Sequence, residues 1–288
     1  FCILHSAFCI PLSPTAIDSP HFLKKAIFVH QTASFDLYFN TFCLILNLYY
    51  YIIIKFQTNP KENTKMKLPV AIQVYSVRDD AAADLRGTLE KIKEMGYDGV
   101  EFAGLFEYKN KPEELKKLVE EIGLVPISAH VTTDEYMCDE GGVDAVLDRY
   151  QKVGVKYVVV PYLMEDRRPG AARWNDPAVP NNTLDLLTRI AKGAAARGMT
   201  LLYHNHDFEF KRLDSGKYIL EELYDSIPAD IFQSELDTCW VNIGGEVPAD
   251  YVRKFTGRAP VVHLKDFVCK SFAGGPVYDL IDASGNDS

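Results

Sequence analysis

Leu201-Leu202-Tyr203-His204-Asn205-His206-Asp207-Phe208-Glu209-Phe210 begins as an apolar run, the shape of a buried strand, and stops abruptly at imidazole, amide and carboxylate groups. Burying ionisable groups is costly unless they are paired or bound to a metal, so a strand ending this way reads as the floor of a polar site. Two later strands end alike. Phe232-Gln233-Ser234-Glu235-Leu236 runs into Asp237, and Val261-Val262 runs into His263, with Lys265 and Asp266 behind it. Three strand ends that supply His, Asp and His point to one metal site assembled from three places in the sequence.

Working outward, apolar strands alternate with helical spacing. Val70 to Tyr75, Gly99 to Phe102, Val125 to Ala129, Lys156 to Val160 and Met199 to Tyr203 read as strands. Asp84 to Met95, Pro112 to Ile122, Val143 to Val153, Thr183 to Arg197, Tyr218 to Ser226 and Ala249 to Phe255 read as helices, several closed by Gly. Short connections in such an alternation predict a parallel sheet covered by helices. Seven strand–helix steps with ionisable residues at strand C-termini predict a (β/α)₈ TIM barrel whose site lies at the C-terminal mouth. A doubly wound open sheet is the alternative, though no GxGxxG follows the first strand. After Phe267 the sequence is loop-like and too short for an eighth strand and its helices, so the barrel is expected to be truncated after strand 7.

The first 65 residues differ from the rest. They are rich in Phe, Tyr, Ile, Asn and Cys and contain no Arg, Trp or Met. Their long apolar run, Phe42 to Phe56, falls short of the roughly 20 residues a membrane helix needs, and it is poorly placed for a signal peptide. The first methionine is Met66, immediately before strand-like sequence. Residues 1–65 are therefore expected to be an N-terminal extension without a fold native to the domain, and 66–288 the domain itself. The whole chain carries −9, and the first 65 residues hold five Lys against two Asp and one Glu, which leaves −11 on the remainder. An acidic body is a poor match for a phosphate backbone. Six Cys without a CxxC pair argue against a zinc finger or disulfide framework and for a reducing, cytoplasmic setting.

The segments Gln73-Val74-Tyr75-Ser76-Val77-Arg78, Gly99-Val100-Glu101-Phe102-Ala103-Gly104, Tyr203 to Phe210 and His263-Leu264-Lys265-Asp266 resemble the sugar phosphate isomerase/epimerase family of the xylose-isomerase-like TIM barrels. The resemblance covers Met66 to about Ser288. It implies a divalent metal at the mouth, Mn²⁺, Co²⁺, Mg²⁺ or Zn²⁺, held in the family by Glu, Asp, His and Glu from the fifth to eighth barrel strands. By position the Asp falls on Asp237 and the His on His263. His204 stands where the first Glu would be, and the last Glu has no counterpart. Imidazole remains a good ligand for Zn, Co or Mn.

The expected metal ligands are thus His204, Asp237 and His263. Asp237 fits a helix cap as well. His206 shares a strand face with His204 and, with Asn205 and Trp240, is expected to contact substrate. Glu101, His130, Glu209 and Lys265 are the catalytic candidates. For Glu101 a helix cap, for His130 a buried structural role, for Glu209 a solvated loop and for Lys265 a rim ion pair with Asp266 are the competing readings. The Arg167, Arg168 and Arg173 cluster fits a solvated loop better than an anion site.

The resemblance implies metal-assisted proton transfer on a small carbohydrate substrate, an isomerisation or epimerisation through an enediolate. The same enolate could expel a β-substituent, making a lyase or dehydratase acting on an inosose or 3-keto sugar the near alternative. The superfamily's apurinic endonucleases fit the acidic body poorly. A non-catalytic barrel remnant is the reading of another class. No nucleic acid and no membrane partner is expected, and the open edge leaves room for a homodimer.

Overall fold

The computed structural model describes residues 69–265 and 267, together with the backbone of Ile27–Phe28, Val268–Cys269 and Ile281–Asp282. The apolar run Phe42 to Phe56, Met66 and Asp266 lie outside the described residues, as does most of the tail.

Seven parallel strands follow one another around a ring: β2 (Val70–Gln73), β3 (Gly99–Ala103), β4 (Val125–His130), β5 (Tyr157–Val160), β6 (Thr200–His204), β7 (Phe232–Asp237) and β8 (Val261–His263). Each pairs with its predecessor, as the alternation predicts. No barrel strand follows β8 among the described residues. The two edges are bridged instead by a two-residue strand, β1 (Ile27–Phe28), which pairs in parallel with Val70–Ala71 on one side and Val262–His263 on the other. These two residues belong to the segment that composition sets apart. Beyond the barrel, β9 (Val268–Cys269) and β10 (Ile281–Asp282) form an antiparallel pair.

Helices Leu85–Glu94, Pro112–Ile122, Gly142–Val153, Thr183–Ala196, Ile219–Asp225 and Pro248–Lys254 fill the six crossovers. Local chemistry sets their limits. The Asp84 carboxylate accepts from the Gly87 N–H and the Asn182 side chain from the Asp185 N–H, each satisfying a first-turn donor. Pro112 sits in the first turn of its helix, where its missing N–H costs nothing. Gly123 ends the same helix at φ 83°, a left-handed conformation that a side chain would resist.

Alternation sorts each strand's side chains. Val100, Phe102, Val158, Val160, Leu201, Tyr203, Phe232, Leu236 and Val262 face outward and pack under helix residues such as Leu89, Leu115, Val119, Leu147 and Ile190. Ala71, Tyr157, Val159, Leu202 and Val261 form a separate apolar cluster inside the ring. Both faces of the sheet are covered, which is why these strands read as continuous apolar runs.

Sequence and structure part company chiefly at the mouth. The first strand was expected to reach Tyr75 but ends at Gln73. Val74–Val77 is a 3₁₀ turn that leaves Tyr75 half exposed. Three short helices, Arg78–Ala83, Thr133–Cys138 and Thr238–Ile243, stand just beyond the ends of β2, β4 and β7. Helices this short lack the repeating apolar spacing by which longer ones are found. In the long loop after β5, Arg167 is buried and donates to the Asn181 carbonyl, while Arg173 pairs with Asp166. No helix among the described residues is long and apolar enough to cross a membrane.

Candidate metal centre at the barrel mouth

The inward face of the strands changes character near its C-terminal end. On β2 the apolar Ala71 gives way to Gln73, on β6 Leu202 to His204, and on β8 Val261 to His263. On β4 and β7 the pairs Ser128/His130 and Glu235/Asp237 lie two residues apart and so share a face. Register then sets neighbours side by side: Gln73 beside Glu101, Glu101 beside Ser128, His204 beside Glu235, and Asp237 beside His263.

The polar groups meet in a compact cluster. Glu235 Oε2 lies 2.7 Å from His130 Nε2, 3.0 Å from His204 Nδ1 and 3.3 Å from His263 Nε2. Glu101 Oε1 lies 3.1 Å from the Nε2 atoms of both His130 and His263. The Gln73 amide donates to Glu101 Oε1 at 2.8 Å, and the Ser128 hydroxyl donates to Oε2 at 2.6 Å. His130, His204, Glu235 and His263 each offer a ligand atom within 4.8 Å of the others. Asp237 stands alongside, with Oδ2 3.6 Å from His204 Nε2. Its Oδ1 accepts from the Cys239 and Trp240 N–H groups. Capping and a place beside the cluster are thus both realised, one on each oxygen.

This donor set fits a divalent cation. Glu235 Oε1 and Asp237 Oδ2 are buried oxygens without a hydrogen-bond partner. Such oxygens are costly to leave unsatisfied, and a cation would supply what they lack. Without a cation the cluster shares protons among its own groups. Burial and the neighbouring charge of Glu101 push Glu235 well above the usual carboxylate range. Burial acts on Glu101 too, but the charge of His130 and a hydrogen bond to it outweigh burial and hold Glu101 low. Burial disfavours a charged His130, yet Glu101 and Glu235 overcome it and lift its pKa to about 10. Burial, assisted by Lys265, holds His263 well below the ordinary imidazole value. Asp237 is lifted to about 6 by burial, against the pull of Lys265.

The remaining sequence candidates fall into distinct places. Asn205, expected at the substrate, spends its side chain on β7 instead. Its amide donates to the Asp237 carbonyl at 3.2 Å and its oxygen accepts from the Asp237 N–H at 2.9 Å. Fully buried, it is a clamp on Asp237. Glu209 also stands apart from the four-donor group. It accepts from the Tyr203 hydroxyl and, at 2.8 Å, from the His206 N–H, fastening the turn after β6. It is neither solvated nor a neighbour of the donors, and burial lifts its pKa to about 8.

His206 packs between Phe208 and Trp240, with Tyr162 edge-on, and its Nδ1 is buried without a hydrogen-bond partner. The Lys265 ammonium sits 4.9 Å over the ring of Trp240. Arg168 lies 3.3 Å over Phe208 and donates to the Tyr162 hydroxyl, so it closes this aromatic wall from the other side.

Glu235 was not anticipated as a site residue, nor were Gln73 and Ser128. The signal for Glu235 was present: a carboxylate inside an apolar strand, two residues before Asp237 and on its face. Pairing against β6 and β8 brings it to His204 and His263, and His130 reaches it from β4 across the ring.

A family model described as xylose isomerase-like TIM barrel matches residues 89–276. A solved sugar phosphate isomerase/epimerase from Parabacteroides distasonis is 22% identical, with a TM-score of 0.56 over 70% of this chain and 76% of that one. A second structure of that description from the same organism is 23% identical, with a TM-score of 0.55 over 66% and 76%. At these identities the likeness to both is one of fold. Comparison with curated proteins finds no match. With the matched span covering more than half of its length, the chain belongs to the xylose isomerase-like TIM barrel family.

Proposed function

We propose that this protein is a divalent-metal-dependent isomerase or epimerase acting on a sugar or sugar derivative by proton transfer next to a carbonyl. The observation that carries the proposal is the convergence of His130, His204, Glu235 and His263, with Asp237 beside them, at the C-terminal mouth of a barrel of this family. These residues would hold the cation. When bound, it would act as a Lewis acid toward adjacent carbonyl and hydroxyl oxygens and favour enolisation.

The chain's own groups supply the rest. Glu101, fixed by Gln73 and Ser128, is the carboxylate poised to take the α-proton and return it at a neighbouring carbon. Lys265 offers a cation at the rim for a substrate oxygen. His206 and Trp240 line the wall through which a sugar ring would reach the centre. The turn fastened by Glu209 keeps that wall in place.

The test is solvent exchange. Metal-loaded protein incubated with aldose and ketose candidates in D₂O should place deuterium beside the carbonyl, seen by proton NMR. Glu101→Gln should slow incorporation about 10²–10⁴-fold. Absence of exchange with every carbonyl sugar tried, or exchange indifferent to Glu101→Gln, would overturn the proposal. Formation of an unsaturated product would reassign the chain to the lyases.

A further inference from the structure

The balance of donors in the centre bears on which cation it accepts. Three of the four converging groups are imidazoles and one is a carboxylate. The imidazoles come from β4, β6 and β8, alternate strands of the ring, and side chains from alternate strands share a layer in such barrels. His130, His204 and His263 therefore surround the barrel axis at one level. Their rings confirm it: His204 and His263 meet edge-on at 4.7 Å, and His130 stands 5.2 Å and 5.9 Å from them.

Mg²⁺ demands an octahedron of oxygen ligands and gives up its waters reluctantly. Here oxygen donors are the minority and the walls are close, since Glu235, Asp237 and His263 are all almost completely buried. Imidazole nitrogen suits the later first-row cations. Glu235 and Asp237 add two carboxylates to the three imidazoles. Glu101 is already engaged by Gln73 and Ser128, so it need not serve as a ligand.

We infer that the centre is selective for a nitrogen-preferring cation, Zn²⁺ or Co²⁺, over Mg²⁺ and Mn²⁺, and that His130 is one of its ligands. The inference rests on the metal-dependent function proposed above but is tested without measuring turnover. The metal-free full-length chain is dialysed against equal concentrations of Zn²⁺, Co²⁺, Mn²⁺ and Mg²⁺, and its metal content is measured. About one Zn²⁺ or Co²⁺ per chain is expected, with Mg²⁺ unable to displace it in large excess. The Co²⁺ form should show the intense visible bands of a four- or five-coordinate ion and hyperfine-shifted NMR signals from three imidazoles. His130→Gln should remove one set of these signals and weaken Co²⁺ binding at least about tenfold.

Retention of Mg²⁺ or Mn²⁺ in preference, or three imidazole sets persisting in His130→Gln, would overturn the inference. If that variant does not fold, the competition on the unaltered chain decides. Zn²⁺ or Co²⁺ held with this preference but without solvent exchange on any sugar would sink the proposed function alone. Exchange supported by preferentially bound Mg²⁺ would sink the inference alone. A folded chain that binds no cation would sink both.

Discussion

Leu202 and His204 face the same way on one strand, two residues apart, yet they belong to regions built on opposite principles. Leu202 sits among Ala71, Tyr157, Val159 and Val261, where removal of apolar surface from water stabilises the fold. His204 sits among two glutamates, an aspartate and two other imidazoles, where burial works against the folded state unless a cation compensates. The same pattern repeats from Ala71 to Gln73 and from Val261 to His263. The lower barrel holds the structure together, and the mouth is the stability it gives up for a site.

Mutations can break or sharpen this contrast. The largest effect is expected below. Leu202→Ala should cost about 2–5 kcal/mol, seen as a lowered urea midpoint with cation selectivity unchanged. In the mouth the sign should reverse. Glu235→Gln keeps the shape but removes a carboxyl that burial and Glu101 force to hold a proton, so the metal-free protein should gain about 1–3 kcal/mol in the same measurement near neutral pH. A loss comparable to that of Leu202→Ala would erase the distinction.

Glu209 provides the most graded test. Burial lifts it from 4.5 to about 8, so between those values the folded chain keeps a proton that the unfolded chain has shed. Stability therefore falls as pH rises through that window, by up to about 1.4 kcal/mol per pH unit from this group. Its contribution is fully present below pH 4.5 and lost above about 8. Glu209→Gln should flatten that part of the profile in urea titrations from about pH 5 to pH 8. An unchanged slope would mean that the carboxylate is ionised in the fold.

The contrast also explains what the sequence made legible. The seven barrel strands and six crossover helices follow from period and punctuation, because packing against a covered sheet imposes those patterns on every strand. His204, Asp237 and His263 were visible because each interrupts or ends an apolar run. Glu235 was hidden by its position inside such a run, and its partners lie on β4, β6 and β8. Asn205 and Glu209 show what a strand-end position alone does not tell: Asn205 bonds the Asp237 backbone, and Glu209 bonds Tyr203 and the His206 N–H. The short helices beyond β2, β4 and β7 left no periodic trace.

The four converging donors come from residues 130 to 263, with the last of them in β8, and β8 in turn pairs with Ile27–Phe28 near the other end of the sequence. Neighbouring strands such as β5 and β6 can find one another locally. The pairing of Ile27 with Val262 requires closing a loop of most of the chain, and such long-range contacts are slow to form. His263, by contrast, is set beside Asp237 by the shorter-range pairing of β7 with β8. Cation uptake during refolding should therefore report the docking of β8 on β7 rather than the closing of the ring.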